Sequence, residues 1–401
     1  MTPDELPLSA ALARAEQQHP VLRAAGYRAR VADASVEQAD VRPNPTLGVE
    51  VENVLGTGAW RGTRGLEATV QASQTFERGG KRERRVTLAR HERRAVEHAF
   101  AVQRAKVLEA TAVAFVEALA AQARVELAGE PVRLARELVA ALEQRQAAGA
   151  AGPAEVARAR ASVALAEVER QRAEAGLTAA RARLAALWAG RAEDVPPLVG
   201  TLGLPATPPD REAWLARLAD HPRLARQAAL REAAEAAVDL ARAGAVPDVT
   251  VGGGVRFLRE GADVGFVAGL SLPLPIYDRN QGNVRAARAE LAAVEEEGQA
   301  TERELRVEFA AAWQELVSTR EAAAALQREA VPAAEQAERL VRGGFAAGET
   351  ALLDVLEARQ LLVAVRREVL DLTAAHLVAH ARLEALADLS FPTTTRVLTS
   401  R

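Results

Sequence analysis

The chain has 401 residues, 49% of them hydrophobic but only 3% aromatic and 26% charged, so its apolar share is mostly Ala, Leu and Val among Arg and Glu. A formal net charge of −3 gives no electrostatic basis for binding nucleic acid or an anionic membrane surface, and the absence of cysteine excludes disulfides, thiolate metal sites, a cysteine nucleophile and a lipidated thiol in the chain as given. No apolar run reaches the roughly 20 residues of a membrane-spanning helix, and the charged start from Met1 to Glu16 lacks the apolar core of a signal peptide, which leaves an intracellular protein or one whose leader was removed.

In chain order, Ser9 opens a predicted helix that runs to about Asp40 and is stopped by Pro43 and Pro45. From Thr46 the period changes to two. Leu47, Val49 and Val51 share one face and Gly48, Glu50 and Glu52 the other. After a Gly-rich loop containing Trp60, Leu66 to Phe76 alternate in the same way, interrupted only by Gln74. Gly80 to Arg145 then reads as one helix broken only by Pro131, about 100 Å long at 1.5 Å per residue. A turn near Gly149 leads into a returning helix.

The same order follows again. Val249 to Phe257 and Val264 to Leu272 form a second alternating hairpin, in which Gly252 to Gly254 mark a bend or the close approach of another backbone. A helix runs from Asn283 to Arg342 with Pro332 inside it, and a turn lies near Gly348. Leu362, Val365, Val369, Leu372, His376, Ala379, Leu383 and Leu386 on the returning helix make a heptad seam that calls for neighbouring helices. His19-Pro20 recurs as His221-Pro222, 202 residues on, and Ala147-Ala148-Gly149 as Ala346-Ala347-Gly348, 199 residues on. The chain therefore reads as an internal duplication: a first repeat over 1–190 with a hairpin at 46–76, a Pro-rich connection over 191–210, a second repeat over 211–390 with a hairpin at 248–273, and a tail over 391–401.

Two amphipathic hairpins with nothing in the chain to cover their apolar side cannot form a stable soluble sheet. Strands of about ten residues suit a tilted bilayer crossing, and if lipid covers the apolar face the strands must close so that no edge stays unpaired. Membrane barrels begin at about eight strands, so four must be shared between chains, two or three in number. Polar side chains would then line a water-filled lumen that the long helices extend.

Three segments carry a resemblance: Arg42-Pro43-Asn44-Pro45-Thr46-Leu47 entering the first strand, Gln74 to Arg82 leaving the second, and Ser271 to Asn283 leaving the fourth. They resemble the TolC-type outer-membrane efflux factors, and among these the outer-membrane components of heavy-metal resistance pumps of the cobalt–zinc–cadmium kind. The resemblance implies an α+β membrane protein: a homotrimer with a twelve-stranded β-barrel, four strands per chain, continued by a long α-helical barrel across the periplasm. It further implies a duct of a tripartite pump of the RND (resistance–nodulation–division) type, located in the outer membrane of a Gram-negative-type bacterium. Its partners would be a periplasmic adaptor (membrane fusion protein), an inner-membrane RND pump and outer-membrane lipid, with divalent heavy-metal cations as cargo and no cofactor. Drug or type I protein export through the same architecture is the alternative within the class, and a soluble periplasmic coiled-coil adaptor or scaffold the alternative outside it. The leader that such a location requires is not in the chain as given.

Gly79, Gly80 and Gly282 fall where strand becomes helix, and Trp60, Phe76 and Tyr277 near strand ends, where amphipathic rings suit a headgroup layer. Carried over by position from the family, Asp354 and Glu357 would form the periplasmic gate, against the alternative of ordinary solvated helix charges; Glu155 and Arg158 occupy the matching places in the first repeat. Gly149, Arg342, Phe345 and Gly348 are candidate adaptor contacts at the tips, with Phe345 either exposed to a partner or packed under its own turn. His376, His380 and Glu384, four residues apart on one helix face, form a weak candidate metal site; His376 also falls on the heptad seam, which favours packed histidines instead. No phosphate loop, HExxH or nucleophile elbow is present, and no catalysis is expected.

Overall fold

A computed structural model of the chain describes residues 5–205, 210–387, 394 and 398. The expected tail over 391–401 therefore lies outside the described residues except for Thr394 and Leu398, as do residues 206–209 of the connection. In order the elements are α1 (Leu8–Gln18), α2 (Pro20–Ala39), β1 (Thr46–Glu52), β2 (Glu67–Phe76), α3 (Lys81–Ala147), α4 (Pro153–Ala186), α5 (Arg211–Arg217), α6 (Pro222–Ala243), β3 (Val249–Leu258), β4 (Asp263–Ser271), α7 (Gln281–Ala325), α8 (Val331–Ala347) and α9 (Leu352–Ala387). They fall into two compact units, one of residues 26–100 and 223–301 and the other of the remaining segments. No described helix is long and apolar enough to cross a membrane.

The first predicted helix is in fact two. Pro20 offers no N–H and drives its predecessor out of the helical region, so His19 sits at φ −63°, ψ 124°, and its Nδ1 accepts the Val21 amide at 3.1 Å. His221 before Pro222 has nearly the same backbone, φ −63°, ψ 135°. The α3 helix passes through Pro131 unbroken for 67 residues. Its counterpart does not: residues 326–330 take π turns between α7 and α8, with Pro332 in the first turn of α8. A proline ring clashes with the carbonyl four residues back, and wider turns move the Arg328 carbonyl out of its way.

The unit of residues 26–100 and 223–301 holds one antiparallel sheet in the order β1-β2-β3-β4. The register sets Leu47, Val49 and Val51 against Ala72, Val70 and Ala68, these against Gly253, Val255 and Phe257, and these against Ala268, Phe266 and Val264. Because side chains alternate with period two, both hairpins are in phase: one apolar face spans all four strands, and Glu50, Glu52, Thr69, Gln71 and Arg256 share the other. The apolar face is bare, with Phe266 91% and Leu47 75% exposed. Gln74, the interruption in that face, donates from Nε2 to the Pro43 carbonyl at 2.8 Å. Gly254 is the close approach expected among the strand glycines, since a Cβ there would stand 2.3 Å from the Val70 carbonyl oxygen.

In the other unit Leu6, Phe115, Val116, Leu184, Trp188, Leu198 and Leu377 form the main core. The Pro-rich connection belongs to it: Val195 and Leu198 are buried, and Leu198 forms a parallel bridge with Leu6. The heptad seam of α9 divides likewise. Thr373 to Ala385 contributes His376, Leu377 and Leu383 to buried positions, whereas Leu362, Val365 and Val369 stay partly exposed.

Candidate functional site

On the polar face of the sheet, Glu52 and Glu67 stand directly opposite each other, a like-charge pair that alone would weaken the ladder. Arg256 from β3 holds both, with Nη1 2.9 Å from Glu67 Oε2 and Nη2 3.3 Å from Glu52 Oε2, while its Nε donates to Thr69 Oγ1 at 3.0 Å. Thr75 and Thr250 join their hydroxyls at 2.9 Å on the same face. Among the described residues no ion pair lies on the apolar face.

At the strand-to-helix joint of the first hairpin Gly79 and Gly80 both take φ +69°, and a Cβ on Gly79 would come within 2.9 Å of Val246. Both are turn glycines. Asp248, just before β3, ties the joint by accepting the Arg78 amide at 2.9 Å and Lys81 Nζ at 2.8 Å. Burial works to raise this carboxyl, but the Lys81 and Arg78 hydrogen bonds outweigh it and hold it below its usual range. Arg85 closes the end of α2, donating to the Ala39 carbonyl at 2.9 Å and the Val41 carbonyl at 3.1 Å while pairing with Glu77 at 2.6 Å. The second joint is built differently, and Gly282 is not its turn residue. Gly282 lies inside the first turn of α7 with open space about it; the positive φ, 57°, belongs to Asn280, which tolerates the left-handed region. Asn280 Nδ2 donates to the Ala241 carbonyl at 2.6 Å and so closes the end of α6.

The three aromatics separate. Phe76 and Tyr277 lie at the helix end of the sheet, 56% and 90% exposed, while Trp60 lies in the loop at the opposite end. Trp60 also organises that loop, since a Cβ on Gly56 would meet its carbonyl oxygen at 2.6 Å and one on Gly65 its ring at 3.0 Å.

The two tips are alike in backbone. Gly149 and Gly348 take φ +77° and +82°; Ala150 N–H reaches the Arg145 carbonyl at 2.7 Å, and Glu349 N–H reaches the Gly344 carbonyl at 2.8 Å, the paired closure that a left-handed glycine allows. Beyond each turn an acidic residue caps the next helix: Glu155 Oε2 accepts the Gly152 amide at 3.2 Å and Asp354 Oδ2 the Ala351 amide at 3.1 Å. Asp354 thus does a local structural job, and both it and Glu357 remain exposed. Phe345 is half-buried against the tip cluster of Leu138, Leu142, Val156 and Leu352, with the Arg145 guanidinium 5.3 Å from its ring centre, so of its two readings the packing one describes it. Arg342 is exposed beside Glu338 at 3.8 Å. The large apolar side chains bare near the tip are Leu340, 67% exposed, and Leu353, 52% exposed; in sequence nothing sets them apart from buried neighbours such as Leu352.

His376, His380 and Glu384 are all buried. Each makes a bond within the protein: His376 Nδ1 donates to the Leu316 carbonyl at 3.0 Å, His380 Nδ1 meets Thr394 Oγ1 at 3.2 Å, and Glu384 accepts the Thr394 amide at 3.1 Å, while His376 Nε2 is buried without a hydrogen-bond partner among the described residues. Among the described residues no group of three ligand-type side chains is arranged to hold a metal ion. Burial pushes the His376 imidazole down to about 4, His380 and Arg320 adding to the effect against the Leu316 carbonyl.

Comparison with known proteins agrees with this geometry. The family model described as outer membrane efflux protein matches residues 11–190 and 216–387. The chain is 32% identical over 361 residues to the cobalt-zinc-cadmium resistance protein CzcC of Cupriavidus metallidurans, covering 90% of this chain and 85% of that protein. It is 30% identical to the nickel-cobalt-cadmium resistance protein NccC of Alcaligenes xylosoxydans xylosoxydans, over 72% of this chain and 65% of that one. The crystal structure of CusC superposes with a TM-score of 0.78 at 20% identity over 95% of this chain and 92% of that one, which shows a shared fold. With both matched segments together making up most of the sequence, the chain belongs to the outer membrane efflux protein family.

Proposed function

We propose that three copies of the chain join their sheets edge to edge into a twelve-stranded barrel in the outer membrane, and that this barrel is the exit duct of a three-component efflux assembly. The observation that carries the reading is the bare apolar face that runs in phase across all four strands, backed by a polar face with its own side-chain network. Only lipid can cover such a face on every strand, and lipid tolerates no open edge. The duct catalyses nothing; an inner-membrane pump supplies energy and a periplasmic adaptor connects the two. Divalent heavy-metal cations are the proposed cargo, supported by the names of CzcC and NccC.

Asp354 and Glu357 serve as the gate in this reading, three copies of each forming an anionic constriction. Since Asp354 also caps α9, Asp354→Asn with Glu357→Gln is the cleaner probe, because it removes charge and keeps acceptors. Single-channel conductance in planar bilayers should rise in that variant, and unchanged conductance would remove the gate. The tip surface for the adaptor centres on Leu340 and Leu353 beside Gly149, Arg342 and Gly348, with Phe345 supporting it from beneath. The function itself is tested by deleting the gene and scoring growth on cobalt, zinc, cadmium and drugs. Sensitivity confined to the metals supports the cargo; sensitivity confined to drugs transfers the duct to another pump.

A further inference from the structure

The helix end of the sheet carries an unusual split among its cations. Lys81, Arg82, Arg84 and Arg85 are each held by a carboxylate, from Asp248, Asp40, Asp239 and Glu77 in turn. Arg42 and Arg78 have no ion pair among the described residues, and Arg279 spends only its Nε, on the Pro275 carbonyl at 3.3 Å. All three are exposed, and they stand one before β1, one after β2 and one after β4, so they span the width of the sheet at a single end. The carboxylates left over there are occupied locally: Asp278 Oδ1 accepts the Asn280 amide at 2.9 Å, and Glu83 lies in the first turn of α3, where the helix dipole favours it.

Beside these arginines the apolar face does not stop with the strands. Leu274, Ile276 and Tyr277 follow β4 at 72%, 62% and 90% exposure, and Phe76 ends β2 at 56%. Pro273 and Pro275 remove two amide donors from this ribbon, so it cannot extend the ladder, and it has fewer backbone groups that demand water. Exposed apolar side chains following the strands, a ring bearing a polar tip, and exposed guanidinium groups that come farther along the chain from the strand ends, without a carboxylate partner among the described residues, match the order of a phospholipid leaflet from acyl chain to phosphate.

We propose that Arg42, Arg78 and Arg279 bind the phosphates of anionic phospholipids in the leaflet facing the periplasm, with the 272–277 ribbon seated among the acyl chains below them. This rests on the reading that lipid covers the sheet. The test uses the purified assembly in phosphatidylcholine vesicles doped with spin-labelled phosphatidylglycerol or spin-labelled phosphatidylcholine, and compares the motionally restricted fraction of each. Phosphatidylglycerol should be favoured on the order of fivefold. The preference should fall to parity in the variant Arg42→Gln, Arg78→Gln, Arg279→Gln and persist in Arg61→Gln, Arg64→Gln, which changes arginines at the loop end of the sheet. A preference that survives the first variant, is abolished by the second, or is missing from the unaltered protein overturns the proposal while leaving the barrel intact. Failure of the protein to enter vesicles at all would instead remove the lipid-covered sheet, and this inference with it.

Discussion

The two repeats agree at their tips and differ at their joints. Each tip closes through a left-handed glycine and is followed by an acidic residue three places into the next helix that accepts a loop amide, Glu155 in one and Asp354 in the other. Each joint must turn a strand into a helix and close the end of the helix before it, yet the first does so with Gly79, Gly80 and a paired arginine, and the second with Asn280, itself held by Asp278. The helices diverge in the same way. The first repeat carries Pro131 within an unbroken α3, whereas the second opens into π turns ahead of Pro332. The left-handed glycine is common to both tips, whereas at the joints the left-handed position belongs to glycine in the first half of the chain and to asparagine in the second.

The sheet should respond most strongly to substitution, because there both repeats share one register. Gly254→Val forces a Cβ to 2.3 Å from the Val70 carbonyl oxygen and should cost about 3 kcal/mol or prevent assembly, whereas Gly253→Ala, whose nearest neighbour would be 3.7 Å away, should be tolerated in the same heat-stability assay. A comparable effect is expected from pH. His376 stands where the first repeat has Leu177, and its folded value of about 4 lies below the ordinary 6.5. Between those values the unfolded chain binds the extra proton, so stability is complete above about 6.5 and drains as pH falls toward 4, by up to about 3 kcal/mol. Denaturation measured at steps across that window should show the slope, and His376→Leu, which imitates the first repeat, should flatten it.

The joints come next. Arg85→Ala removes two carbonyl contacts and the Glu77 pair and should cost about 2 kcal/mol, against about 1 kcal/mol for Asn280→Ala, which removes one neutral bond; equal losses would mean that the joints are not chemically distinct. Glu155→Ala and Asp354→Ala should each cost about 1 kcal/mol, and a large difference between them would break the equivalence of the tips. Smallest of all, Gly282→Ala should stabilise by about 0.5 kcal/mol, as expected of a helical glycine in open space and opposite in sign to Gly79→Ala, whose φ of +69° and 2.9 Å neighbour both resist a side chain.

What the sequence made legible was whatever follows from periodicity. The strand phases, and with them the two faces of the sheet, come from alternation that a one-residue slip would invert, and the tip glycines come from positions that few other residues can occupy. The break at Pro20 has a sequence signal, the His-Pro landmark, because a proline drives the residue before it out of the helical region. Pro131 and Pro332 look the same in sequence, yet α3 runs unbroken through the first and π turns precede the second. Gly282 misled because glycine near a joint reads as a turn, while the residue with the left-handed backbone was the asparagine two places earlier. Asp354 could have been recognised as a cap from its spacing after Gly348. The environment of Phe345 could not, because Arg145 and Leu142 lie some 200 positions away in the chain.

Because the chain contains no cysteine, a nitroxide can be attached uniquely at any position, and a scan along β4 tests the lipid-covered face most directly. In bilayers, labels at Val264, Phe266, Ala268 and Leu270 should relax with oxygen and be shielded from a water-soluble nickel chelate, and those at Gly265, Val267 and Gly269 should show the reverse. A scan in which every position is open to the chelate, or in which the alternation is absent, would contradict the account.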